Sequence, residues 1–406
     1  MSNGFDSARL GRIEAWMQGY VDARKYPGCS VLIHRKGEEV YYSDCGQRNL
    51  EMGLPFERDT LVRIFSMTKP ITSVALMTLV EQGLIHLDAP VSEFIPGFAD
   101  ARALIAGAER LDQTEPCAAP TLQQLATHTS GLSYSFNPGL VSEHMAENKL
   151  DFGPRDGTLD QVADKIGALP LSFVPGTKWQ YSVGIDILGR VVEVVSGKSL
   201  DAYFSETILG PLGMTETAFN VPAGMGDRFA NLYTPLEDPM ALNDVKDGGD
   251  TLRLAEDHTK SAYHSTPQRS GGGGLVGTID DYARFAEMLR RGGDAGNHRI
   301  LSPKTLQFMM SNHLAGDIAA MGTESFAEQP MVGTGFGIGG SVTLSPGRVG
   351  TPGSVGDFAW GGMASTFFWV DPVHQMTTLF FTQLAPSSSY PSRAQLRALV
   401  HGALIA

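Results

Sequence analysis

Cysteine is scarce: Cys29, Cys45 and Cys117 are the only three in a chain of 406 residues. They are scattered and no CxxC pair occurs, which excludes a disulfide framework and the usual structural zinc spacings. No apolar run reaches the length that spans a bilayer, so no membrane partner is expected. Residues 1–6 lack a basic segment followed by an apolar one, so no secretory signal is expected and the cytoplasm is the expected compartment. Positive charge is in deficit: 31 Lys and Arg face 44 Asp and Glu, for a formal net charge of −13. A surface of that sign repels phosphate backbones, so no nucleic-acid partner is expected. Three motifs are also missing. Without G-x-S-x-G there is no nucleophile elbow. Without H-E-x-x-H, and with ten histidines in no ligand spacing, no metal or other cofactor is expected. The four glycines 271–274 lack the GK[ST] ending of a phosphate loop and read as a flexible connector.

What is present is material for a large buried core, with 42% hydrophobic and 18% charged residues. That length and composition suit one large domain or two packed ones. Residues 6–25 read as an amphipathic helix, with Leu10, Ile13, Trp16, Met17 and Tyr20 at helical spacing and Asp6 or Ser7 as N-cap. Strands are predicted at 28–34 and 39–43, joined by Lys36-Gly37. A helix begins at Ser66, with Ile71, Val74, Ala75, Thr78 and Leu79 as its buried face and Gly83 at its C-terminal end. Short helices are predicted at 121–127, 159–167, 183–196 and 199–207. The stretch 222–270 reads as a long, polar, irregular loop, the kind that is usually functional or a lid. Thr278 and Asp281 suggest a capping box for a helix running to Arg291, and another helix follows Pro303. Strand signal returns at 336–343, 365–370 and 376–382, before a closing helix at 392–405. Residues 1–85 and 271–406 are expected to form one domain, an antiparallel sheet with terminal helices. Residues 86–270 then form a mainly helical domain with long loops, and the site lies at the junction.

Three constellations can carry chemistry. Ser66-Met67-Thr68-Lys69 places a hydroxyl and an amine on one helix face, where a buried lysine of lowered pKa can share the base role. On these four residues alone, an N-cap serine and a solvated lysine is the better description. The N-terminus of a helix adds free N–H groups and a positive dipole end, which favour a substrate carbonyl that gains negative charge. Tyr181, after the turn Pro175-Gly176, is either a packed phenol or a tyrosinate whose pKa a nearby lysine lowers and which accepts the serine proton. Trp360-Gly361-Gly362-Met363 reads as a Gly-rich edge before a strand. Its glycines let backbone approach a ligand, so the Met363 N–H can join the Ser66 N–H as oxyanion donors. His128, among Thr127, Thr129 and Ser130, reads as a buried loop-holding histidine rather than a triad member.

The order Ser-x-x-Lys, Tyr-Ser loop, Trp-Gly-Gly resembles the β-lactamase-like serine hydrolases, and above all the bacterial family VIII carboxylesterases. Phe65-Ser66-Met67-Thr68-Lys69, residues 125–132, 175–182 and 272–277, and Trp360-Gly361-Gly362 carry the resemblance over nearly the whole chain. It implies an α/β (α+β) fold of the β-lactamase/penicillin-binding-protein kind, with an antiparallel sheet flanked by helices and a mostly helical inserted domain. It implies an acyl-enzyme on Ser66, with Lys69 and Tyr181 as the base system and Trp360 lining the pocket. There are two departures. Related β-lactamases carry asparagine where Val183 stands, and Lys or His before Thr-Gly where Trp360 stands. An amide donor and a cation are thereby lost from the substrate-binding positions Val183, Trp360, Gly361 and Gly362, with Arg348 a candidate to restore the charge. The expected activity is a serine carboxylesterase acting on small, short-acyl esters without cofactor. The same motifs are similar to acyltransferases of fungal statin biosynthesis, and weak β-lactamase or D-amino-acid peptidase activity is a further alternative. From another class, a non-catalytic ligand sensor is the competing description. The sequence leaves the oligomeric state open.

Overall fold

A computed structural model describes residues 3–153, 157–235, 252–296 and 298–405. Helix α1 (Ser7–Asp22) starts where the Asp6 carboxylate accepts from the Ala8 and Arg9 N–H groups, and it buries Leu10, Ile13 and Met17. Strands β1 (Gly28–Arg35) and β2 (Glu38–Asn49) follow. Lys36 and Gly37 between them both have positive φ, 53° and 86°, as a tight hairpin of right-handed twist requires. β3 (Leu54–Pro55) pairs with the end of β2. Helix α2 (Thr68–Glu81) is buried without a break from Thr68 to Leu79, so it is a core helix rather than an amphipathic one. The predicted face of Ile71, Val74, Ala75, Thr78 and Leu79 is part of that buried run. Gly83 follows with φ +70°. Helices α3 (Gly184–Ser196) and α4 (Ile279–Arg290) come next among the longer ones.

Five strands near the C-terminus complete the main sheet: β4 (Thr334–Phe336), β5 (Ser341–Thr343), β6 (Phe358–Gly361), β7 (Phe367–Asp371) and β8 (Met376–Thr382). The order across the eight-stranded sheet is β4-β5-β6-β7-β8-β1-β2-β3, and every neighbouring pair is antiparallel. The two ends of the chain therefore meet at β8 and β1, from Cys29 opposite Thr382 to Arg35 opposite Met376. Helix α5 (Ser392–Ala403) and α1 cover one face, packing on Val31, Ile33, Trp369 and Phe380. Leu32, Phe368, Val370, Leu379 and Phe381 point to the other face, into a core shared with α2 and α4. Central strands covered on both faces must be apolar on both, which is why β8 is buried at every position.

Several sequence expectations change here. The single strand at 336–343 is two short strands, because four consecutive residues 337–340 turn the chain. A Cβ at Gly340 would lie 2.5 Å from the Phe358 ring. Trp360 and Gly361 belong to a strand, not to an edge before one: Trp360 pairs with Phe368 and Gly361 with Phe367. The capping box at Thr278 does not form. Its hydroxyl donates to Glu216, while Asp281 accepts from the Glu216 N–H and the Thr217 hydroxyl. A helix at Leu140–Asn148 was not anticipated. Within 222–270, Leu232–Thr234 pairs with Arg253–Glu256, and residues 236–251 lie outside the described residues. No helix among the described residues is long and apolar enough to cross a membrane.

Candidate active site

Ser66 stands in a single 3-10 turn, Phe65–Met67, that feeds directly into α2. Val62 and Arg63 just before it pair with Gly277 and Val276. The Arg63 guanidinium is fully buried and donates to the Ala230 carbonyl and to Glu256. Phe65 has φ +43°, a sparsely populated conformation for a residue with a side chain. The chain is therefore held on both sides of a sharp bend, and the bend presents Ser66 to a cleft.

The Ser66 hydroxyl has two close partners. Lys69 Nζ lies 3.1 Å from Oγ, and the Tyr181 hydroxyl donates to Oγ at 2.6 Å. Lys69 also reaches the Tyr134 hydroxyl at 2.9 Å and the Gly272 carbonyl at 2.7 Å. Tyr134 in turn donates to Asp186 at 3.2 Å. Burial lowers the Lys69 pKa to about 7, against an upward pull from Asp186. A neutral amine fits this cage completely. Its two hydrogens go to Gly272 and Tyr134, and its lone pair accepts from Ser66. Asp186 is buried and its pKa is raised by that burial, with Lys69 pulling it down. It also accepts from Ser270 at 2.5 Å and from the Gly272 N–H at 2.8 Å.

Tyr181 meets the other two groups, but not as a tyrosinate beside a lysine. Lys69 Nζ sits 4.7 Å above the centre of its ring and makes its hydrogen bonds to Ser66, Tyr134 and Gly272 rather than to the Tyr181 hydroxyl. Burial pushes the phenol up, and the hydrogen bond with Ser66 only partly offsets this. The free protein thus holds a protonated phenol, which corrects the expectation of a lowered pKa. His128 anchors the loop. Its Nδ1 accepts from the Ser182 N–H at 3.2 Å, and its ring packs on Tyr181 at 4.7 Å. It is buried, its pKa is lowered by that burial, and it makes no contact with Ser66. Val183 is corrected as well: it is wholly buried in the core and is not part of the cleft lining.

The cleft encloses about 410 Å³ and is lined from both the ends and the middle of the chain. Tyr181, Phe326 and Trp360 form an aromatic wall, with Trp360 and Phe326 stacked at 5.9 Å and Trp360 and Tyr181 tilted at 5.6 Å. Gly361, Gly362 and Met363 line the cleft beside it. A Cβ at Gly362 would fall 2.4 Å from the Ile64 carbonyl oxygen, so this glycine lets the end of β6 run against the bend before Ser66. The Met363 N–H has no acceptor among the described residues and is free to serve a ligand. Arg348 does not restore a cation: it is 61% exposed and bound to Asp317. Arg393 and Arg397, from α5, do line the cleft, each already paired, with Glu328 and with Asp357.

The four glycines are a packed floor, not a flexible connector. Gly272 bonds both Lys69 and Asp186, and Gly273 accepts from the Tyr263 hydroxyl at 3.1 Å. A Cβ on Gly272 would stand 2.1 Å from Asp186 Oδ2. Gly272→Ala is therefore expected to displace Asp186 and lower Tm by several degrees, a loss of about 2–4 kcal/mol, read by thermal denaturation.

For a metal, the described residues offer one cluster, Asp371, His374 and His401, with ligand atoms within 4.8 Å of one another. It lies at the C-terminal end of β7, where the His401 ring stacks on Trp369. Asp371 there is already engaged, accepting from the Val373 and His374 N–H groups and from Ser354.

With this geometry in view, the relatives are informative. The sequence profile of the Beta-lactamase family matches residues 13–402. Protein Rv1367c of Mycobacterium tuberculosis is 33% identical over 389 residues, 94% of this chain and 92% of its own. Esterase EstB of Burkholderia gladioli is 32% identical over 391 residues, again 94% and 92%. The solved structure of EstCE1, a hydrolase with promiscuous acyltransferase activity, matches with a TM-score of 0.79 at 27% identity, covering 98% of this chain and 99% of that one. The chain belongs to the β-lactamase family: it is a serine hydrolase of the β-lactamase/penicillin-binding-protein fold, of the family VIII esterase type.

Proposed function

We propose that the protein is a carboxylesterase that cleaves small, neutral, short-acyl esters through an acyl-enzyme on Ser66. The observation that carries this reading is the Ser66 hydroxyl held at once by Lys69 at 3.1 Å and Tyr181 at 2.6 Å, on the wall of an apolar cleft. Neutral Lys69 takes the Ser66 proton as Oγ attacks the ester carbonyl carbon. The Ser66 and Met363 N–H groups hold the resulting oxyanion. As the tetrahedral adduct collapses, the Tyr181 phenol gives its proton to the departing alkoxide. The acyl-enzyme then carries an ammonium on Lys69 and a phenolate on Tyr181, two opposite charges that stabilise each other in a buried site. In the second half, water attacks the acyl carbon and loses a proton to that phenolate. Ser66 Oγ leaves with the proton from Lys69, and the free acid departs. Tyr134 and Asp186 hold Lys69 in place through both halves.

Removing the phenol tests this assignment. Tyr181→Phe keeps the aromatic wall and is expected to lower kcat for p-nitrophenyl butyrate by about 10²–10⁴-fold, with little change in KM.

The aromatic wall and the lack of an unpaired cation beside Ser66 among the described residues favour neutral esters over an anionic β-lactam. A p-nitrophenyl ester series of increasing acyl length, run beside nitrocefin, checks the substrate class. The expected result is highest kcat/KM for short acyl chains and far lower values for nitrocefin; equal or better turnover of nitrocefin would overturn it. Acyl transfer to an alcohol is the second reading. The apolar cleft and the promiscuous acyltransferase activity of the similar EstCE1 favour it, and product analysis with added alcohol separates transfer from hydrolysis.

A further inference from the structure

Cys29 and Cys45, sixteen residues apart, are brought face to face by the first hairpin. They are direct partners in the β1–β2 register. Two positions along that register, the Gln47 N–H donates to the Pro27 carbonyl at 2.8 Å, so the cysteines occupy a hydrogen-bonded pair. Such partners have Cα atoms about 5.5 Å apart and side chains on the same face. That separation is within the range a disulfide spans, about 4.4–6.8 Å. The two Sγ atoms already lie 3.8 Å apart. Cys29 is completely buried and Cys45 is partly exposed. The pair sits on the sheet face covered by α1 and α5, and neither cysteine lines the cleft.

We propose that Cys29 and Cys45 form a reversible oxidation site, converted to a cross-strand disulfide by a small-molecule disulfide such as oxidised glutathione. The asymmetry of the pair supplies the order of events. The Cys29 thiol donates toward Cys45 and holds its pKa below the usual thiol value, against upward pushes from burial and from Asp44, Asp22 and Glu14. Burial keeps Cys29 protonated. Cys45, as thiolate, attacks one sulfur of oxidised glutathione and releases one glutathione thiolate. Cys29 then loses its proton and attacks the Cys45 sulfur of the mixed disulfide, releasing the second glutathione. Two protein thiols become one disulfide, and one small disulfide becomes two thiols. The bond closes the loop between residues 29 and 45 and staples the hairpin on which α1 rests.

The test is peptide mapping by mass spectrometry of the full chain after incubation with oxidised glutathione. The expected product is a linked Cys29–Cys45 peptide, with the intact mass, apart from any adduct on Cys117, lower by two hydrogens. Dithiothreitol restores both thiols. Cys29→Ser is expected to stop at a stable glutathione adduct on Cys45, because the second thiol is missing. Glutathione that stays on Cys45 of the unaltered protein, or both thiols remaining free, would overturn the proposal. That mapping needs no variant, so a misfolded Cys29→Ser would not blunt it.

Discussion

Ser66→Ala is expected to lower kcat/KM for p-nitrophenyl butyrate by about 10⁴-fold or more. The size follows from the geometry. Ser66 Oγ is the atom on which Lys69 and Tyr181 converge, so its removal takes away the proposed nucleophile and leaves the two proposed proton carriers without a common partner. No other described residue replaces it at that spot, and His128 bonds Ser182 instead. The variant keeps the fold, because Ser66 contributes little packing beside Met67 and Ile71, both fully buried. Steady-state hydrolysis measured beside a melting curve separates lost chemistry from lost structure.

Lys69→Arg is expected to lower kcat/KM by about 10³-fold, with no recovery as the pH is raised. Arginine keeps a cation at the site but stays protonated throughout the working range, so it cannot accept the serine proton. In the unaltered enzyme, kcat/KM is expected to rise with pH through a value near 7. The sign follows from the burial that lowers the Lys69 pKa to about 7: below that pH the amine is an ammonium and has no lone pair, and above it the lone pair faces Ser66. A pH–rate profile of both proteins checks this. A flat profile through pH 6–8 in the unaltered enzyme would remove Lys69 from the base role.

The residues that meet at Ser66 were legible in unequal measure. Ser66 and Lys69 could be read from spacing, because a helix fixes the geometry of positions three apart. Tyr181 could be read from a turn and an aromatic run. Tyr134 could not: its hydroxyl meets Lys69 across 65 residues of chain, and no local pattern encodes that. Asp186 did leave a signal, a carboxylate inside the apolar run Val183, Ile185, Ile187 and Leu188. A charge there demands buried partners, and the partners are Tyr134, Ser270 and Gly272. The four glycines were misread because flexibility and close packing use the same residue, and only neighbouring atoms tell them apart. Trp360 and Gly361 were placed outside a strand because glycine disfavours strands locally, whereas pairing with β7 decides the matter here. The helices at 122–126 and 159–167 were visible from their own periodicity, while the order of strands, set by contacts between chain ends, was not.

The most direct measurement is to treat the protein with diethyl p-nitrophenyl phosphate, a reagent that phosphorylates an activated hydroxyl and leaves a stable adduct, and to map the modified peptide. One equivalent on Ser66, with esterase activity lost in proportion, is the expected result. An adduct on another residue, or ester turnover that continues after Ser66 is fully modified, would contradict the acyl-enzyme.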